Sequence, residues 1–452
     1  MIPHPSLPSS RASFTPYRAA LLAALGLASG PGFAADTNWS FKADLTLKET
    51  FDSNVYIQDE KPTPANTAAA QAAGFNPVQA KQQSFVTSIL PKFTFDYRPC
   101  AAFNVTAGYV PEIVYYHAES SEDYVAHRGT LNLGGQWDKA TYELLNTVAY
   151  IDGNDLGPTF ARPGDVPAIG GIPLRDRRDA FVFRNGFRLA YPIGDFFLRP
   201  VCATYFHDFK TDQRATPAGS PFVYENYIDR QDVSGGLDVG YKVADKTFVV
   251  LGYRYGAQEQ FKLLGVDSPY DNTYQRLLVG IEGMPWDWLK LNVLFGPDFR
   301  DFSPEATQTF PQFNDDEQLY YVDASVSFLP TVRDTITLAN RRYEQPAFSS
   351  FSMYEDVTYA LTWKHKLDAH FTVGAGFQLY IGDWQAPVSR EDWIYTPSAM
   401  IGYTYKKLSA ELAYSYDWVV NQADVVPGTQ TAYADGREYT RHLVSLSGKY
   451  SF

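Results

Sequence analysis

Arginine and aspartate recur two residues apart in this sequence, as at Arg230 and Asp232 and again at Asp298 and Arg300. In an extended strand that spacing puts both side chains on one face. A face of this kind does the chemistry of fixed charges: it attracts and orients polar solutes, or it neutralises itself in ion pairs. The basic members are Arg184, Arg188, Arg230, Arg254, Arg276, Lys290, Arg300, Arg341 and Arg441. The acidic members are Asp232, Asp238, Glu282, Asp298, Asp323, Glu411 and Asp417. Catalytic chemistry has no comparable support, because the chain lacks a G-x-S-x-G elbow, a phosphate-binding G-x-x-x-x-G-K-[ST] loop, H-E-x-x-H and C-x-x-C. The histidines are scattered; His365 and His370 flank a short turn, and His117 and His127 flank a loop, the places of polar rim residues and not of a ligand set. No enzyme activity, metal or cofactor is expected.

The elements that must carry these charges are strands with one apolar side. In WSFKADLTLKETF, Trp39, Phe41, Ala43, Leu45 and Leu47 fall on one face and Ser40, Lys42, Asp44, Thr46 and Lys48 on the other. Similar alternation starts at Val233, Leu289, Tyr320, Asp356, His370 and Ser409, each time for about ten residues, enough for a tilted strand to cross a bilayer's hydrocarbon band. Every second connection is short, as at Asp138 to Ala140, Ala244 to Lys246 and Lys406 to Leu408. The intervening ones are mostly long and polar or Pro/Gly-rich, notably Val55 to Gln83, Gly153 to Asp179, Thr211 to Asn226, Ser303 to Asp316 and Asn421 to Gly436. This layout predicts a closed antiparallel transmembrane β-barrel of about eighteen strands over residues 36–452, an all-β fold with both ends on the short-turn rim.

Composition agrees. Aromatics make up 16% of the 452 residues, with 32 Tyr and 31 Phe. Trp286, Trp288, Tyr403, Tyr405, Tyr416 and Trp418 lie near strand ends, where interfacial girdles form. The Trp-Asp pair at Trp137 and the Asp-Trp pairs at Asp287, Asp383, Asp392 and Asp417 are too irregularly spaced for propeller blades. Residues 1–35 have the three-part layout of a secretory signal peptide, with Arg11 and Arg18, the run from Ala19, and small residues near Ala34 and Ala35. Cys100 and Cys202 form no disulfide framework. A formal charge of -13 argues against nucleic acid and is compatible with a lipopolysaccharide layer bridged by divalent cations.

Placing the charged set outward would cost about 2 to 4 kcal/mol for each Arg or Lys at the midplane, so it is expected to line the lumen. Two states of that lumen are compatible with the pattern: an open charged conduit, which the width of the barrel favours, or a bore plugged by loops and cross-wall ion pairs. The wall carries more Lys and Arg than Asp and Glu, which predicts weak anion preference if it conducts.

The chain closes on SLSGKYSF, a strand whose terminal aromatic resembles the C-terminal signature of outer-membrane barrels. That resemblance implies that Tyr450 and Phe452 are read by the barrel assembly machinery. KETFDSNVY, with Glu49, Phe51, Asp52, Asn54, Val55 and Tyr56, resembles the first-strand motif of the putative beta-barrel porins often encoded with exopolysaccharide biosynthesis genes. This second resemblance implies an outer-membrane barrel for passive diffusion or polysaccharide export and supplies no binding residues. The alternative function is a structural or adhesive barrel with a blocked bore and partner-binding loops.

Overall fold

The computed structural model describes residues 38–55, 81–153, 179–210, 213, 215, 227–316, 318–347, 351–385, 390–423 and 439–452. The signal-peptide reading, Tyr56, and most of the loops at 56–80, 154–178, 216–226 and 424–438 lie outside these residues.

Eighteen strands form a single sheet. The first six are β1 (Trp39–Asp52), β2 (Ser84–Cys100), β3 (Phe103–Tyr116), β4 (Tyr124–Trp137), β5 (Ala140–Gly153) and β6 (Ala180–Ile193). Next come β7 (Phe196–Phe209), β8 (Arg230–Ala244), β9 (Thr247–Gln260), β10 (Asn272–Trp286), β11 (Leu289–Phe302) and β12 (Leu319–Phe328). The last are β13 (Asp334–Pro346), β14 (Met353–Lys366), β15 (Phe371–Trp384), β16 (Arg390–Tyr405), β17 (Leu408–Ala423) and β18 (Thr440–Ser451). Each strand pairs antiparallel with its sequence neighbours, and β1 also pairs with β18 from Asp44 opposite Ser451 to Asp52 opposite Leu443. The sheet therefore closes on itself and has no free edge. Among the described residues a short α-helix, α1 (Glu305–Thr309), sits in the connection after β11, which the strand reading leaves as loop.

The turn rim is built from tight connections whose first residue takes the left-handed conformation: Asp138 at φ 53°, Gly194 at 61° and Lys406 at 53°. Aspartate and glycine adopt it at low cost. Gly283 has φ 129° at a register shift in β10, and a Cβ there would meet the Lys246 carbonyl oxygen at 1.8 Å. No other residue fits that bulge.

The two faces of the wall differ as the alternation requires. Outside, Leu47, Leu131, Leu251, Leu277, Leu412 and Leu446 are exposed between two belts of aromatic rings. Trp286 and Trp288 stack at 5.1 Å on the turn side, and Tyr395 and Trp418 at 5.1 Å on the loop side. This is the exterior of a transmembrane barrel.

The terminal strand is held as the closed architecture demands. The Phe452 N–H donates to the Ala43 carbonyl at 2.9 Å, and its ring packs edge-on against Tyr450 at 4.9 Å.

Candidate functional site: the lumen

Cross-strand register fixes which side chains share a face. Arg199 and Asp238 are register partners, as are Arg254 and Arg276, Arg276 and Asp298, and Asp323 and Arg341. The same parity puts Arg184, Arg188, Arg230, Asp232, Glu282, Lys290, Arg300 and Arg441 on the inner face. Glu411 and Asp417 share it, Asp417 opposite Arg441. Contacts between strands that are not neighbours in the sheet show that this face is the lumen.

Much of the set is tied into networks. Asp238 accepts from Arg199 Nε at 2.9 Å and from Arg254 Nη1 at 2.6 Å, while Arg199 Nη1 also donates to Glu282 at 2.9 Å. Arg199 thus links β7 to β10 across two intervening strands. The sequence reading misses it because Phe197, a lumen residue packed edge-on against Phe248 at 5.3 Å, breaks the apolar-polar alternation of β7. In a second network Asp298 accepts from Arg276 Nε at 2.9 Å and from Arg300 Nη2 at 3.1 Å. Tyr274 lies under Arg276 with its centroid 4.1 Å away and donates to Asp232 at 2.8 Å. Arg441 grips Asp52 with a two-pronged bond, Nε to Oδ1 at 2.8 Å, and Asn54 Nδ2 donates to the Thr440 carbonyl at 3.2 Å. Two members of the first-strand motif, Asp52 and Asn54, therefore fasten the seam between first and last strands.

A hairpin projects into the loop-side half of the lumen. At the end of β13 and the start of β14, Glu344, Gln345, Met353 and Tyr354 are all buried, and so are Ala347 and Ser352 beside them. A wall strand buries at most one parity, so burial of both means that this tip leaves the wall and enters the bore. Arg300 Nε meets Glu344 Oε2 at 3.0 Å, and Arg300 Nη2 donates to the Glu344 carbonyl at 2.9 Å. The side-chain amides of Gln258 and Gln260 donate to the carbonyls of Glu344 and Ala347 at 3.1 and 2.6 Å, and Arg230 donates to that of Pro346. Carbonyls that would face water at a loop tip are thus satisfied by β8, β9 and β11. Tyr354 stacks on Trp384 at 4.8 Å, and both pack in one cluster with Ala126, Ala149 and Ala180 of β4–β6 on the opposite wall. Small side chains there make room for large ones here.

On the loop side an infolded segment and cross-wall ion pairs occupy part of the bore. The signal was present in Ala347, Phe351 and Met353, apolar residues in what should be a polar loop.

The turn-side half is different. A cavity of about 620 Å³ opens there, lined by Asn104, Thr106, Asn132, Thr141, Glu143 and Arg188. Arg188 Nε donates to Glu143 at 2.6 Å, and both side chains remain well exposed.

Among solved structures the chain is similar to the outer membrane protein OpdK from Pseudomonas aeruginosa, with 11% identity, 91% of this chain and 99% of that one covered, and a TM-score of 0.41. It is similar to OccK9 (OpdG) from the same species at 11% identity, 93% and 100% coverage and 0.42, and to the FrpB iron transporter from Neisseria meningitidis at 9%, 92%, 82% and 0.40. Likenesses of that size carry no argument, and the barrel assignment rests on the closed strand pairing. No protein-family model and no curated protein matches the chain.

Proposed function

We propose that the chain is an outer-membrane channel of a Gram-negative-type bacterium, exported by its signal peptide and serving the diffusion or export of polar solutes. The observation that supports this reading is the turn-side vestibule, an open cavity of amides, hydroxyls and charges inside an otherwise apolar shell. Acidic polysaccharide and small anions are the cargo the basic wall would suit, and exopolysaccharide export belongs to this proposal. Lipid and lipopolysaccharide surround the apolar belt. Tyr450 and Phe452 serve the assembly machinery, so deleting Phe452 lowers folded protein in the membrane without stopping export.

A second reading, a structural or adhesive barrel, is favoured by the hairpin that projects into the bore on the loop side. Single-channel recording decides between the two. The channel reading expects small or intermittent conductance for the native protein and a large steady one when residues 344–353 are replaced by a short Gly-Ser turn. Reversal potentials across a salt gradient should then show weak anion preference. Silence from both proteins would leave the structural reading standing.

A further inference from the structure

Between its aromatic belts the lipid-facing wall is apolar strand after strand, with two polar interruptions that span more than one strand. On β5, β6 and β7 the outward residues at mid-height are Asn146, Asn185 and Thr204, successive partners in the register. Leu144 and Val148 flank Asn146 on the same face, and Phe183 and Phe187 flank Asn185. Farther along these strands stand the belt residues Tyr142 and Tyr191 on the turn side and Tyr150 and Phe181 on the loop side. The polar trio thus lies inside the hydrocarbon band. The other interruption, on β13 and β14, is satisfied within the wall: Asn340 donates to the Thr358 carbonyl at 3.2 Å, and Arg342 Nη2 donates to Glu355 at 3.0 Å.

Asn185 Nδ2 donates to Asn146 Oδ1 at 2.7 Å, and Asn146 Nδ2 donates to the Leu131 carbonyl at 2.8 Å. These bonds use one N–H of each amide. A carboxamide offers two donors and two lone pairs, and a hydroxyl offers a donor as well. The second N–H of each asparagine, the Asn185 carbonyl oxygen and the Thr204 hydroxyl keep hydrogen-bonding capacity on a surface where lipid offers no partner.

We propose that this face of β5–β7 docks a second copy of the same chain within the membrane. The identity of the partner follows from the groups: amides are self-complementary, so what one copy donates another accepts, while lipid or an apolar transmembrane segment does neither. Close approach is open on the β8 side, where the outward positions level with the trio include Cys202 and its register partner Gly235. The proposal rests on the barrel exterior and is independent of any conductance.

The test is the particle mass of purified protein in mild detergent, for the native chain and for Asn146→Leu/Asn185→Leu. The native chain should form a particle of two or more copies, and the double variant should shift the equilibrium toward single chains by roughly tenfold or more. Unboiled gel mobility must stay that of a folded barrel in both. A Cys100→Ser background provides a second reading, because a short bis-maleimide should then join two chains through Cys202 in native membranes more readily than through a cysteine placed at Leu412 on β17. A single-chain mass for the native protein, or an oligomer unmoved by the double variant, overturns the proposal. So does a mixed particle that holds a different protein at this face.

Discussion

Arg188 and Arg300 both point into the lumen, yet their surroundings have little in common. The Arg188 side chain is 60% exposed and holds one carboxylate, its register partner Glu143, at the wall of the turn-side cavity. The Arg300 side chain is 2% exposed and is held by Asp298, Glu344, Gln258 and Asn272 at once. Both sit on wall strands of similar alternation, so the wall does not make the difference. What lies opposite does: the β13–β14 hairpin stands over Arg300, and among the described residues no such segment stands over Arg188. An ion pair in high dielectric is worth little, while a buried one becomes costly to break once its partners are desolvated.

The comparison can be broken by mutation. Arg300→Ala removes the cation paired with buried Glu344 and leaves Asp298 with Arg276 alone, and should cost about 3–5 kcal/mol, read as a lower temperature at which the compact unboiled gel band converts to the unfolded one. Ala126→Leu forces bulk into the fully buried contact beneath the hairpin and should cost about 1–3 kcal/mol. On the turn side, Gly186→Ala places its methyl where nothing lies within 4 Å and should change stability by less than about 0.5 kcal/mol. Arg188→Ala should cost about 1 kcal/mol or less. Equal losses at Arg188 and Arg300 would show that the two halves are packed alike.

The smallest effect belongs to the turn rim itself. Asp368 accepts from the backbone N–H groups of Phe371 and His370, each at 2.7 Å, and these bonds hold its carboxyl below the usual range. A lowered carboxylate stabilises the fold above its ordinary pKa of about 3.9 and loses that contribution as pH falls through the folded value. Asp368→Ala should therefore lower thermal stability slightly at neutral pH and match the parent once acid protonates the parent's carboxyl. A gap that widens on acidification would contradict the cause assigned to it.

Strand number, turn positions and the inner parity of the wall were legible because a barrel writes its geometry as local period-two alternation. Trp39 to Leu47 could be placed without knowing any distant residue. The infolding on the loop side was not legible, since it depends on Glu344 meeting Arg300 and on Tyr354 joining one cluster with Ala126, associations between segments far apart in sequence. Arg199 escaped for a local reason: Phe197 and Phe248 face the lumen as rings, and an aromatic pattern cannot say which side holds lipid.

The seam between β1 and β18 carries a topological consequence. Its register runs unbroken from Asp44 to Asp52, and it is fastened by Arg441 at one end and by the Phe452 N–H at the other. In the folded wall this junction is one hairpin-like pairing among eighteen, distinguished only by lacking a turn. A circular permutant that links Phe452 to Asn38 and opens at Asp138 and Lys139 would keep every strand pairing. The wall, once closed, has no beginning; only synthesis gives it one.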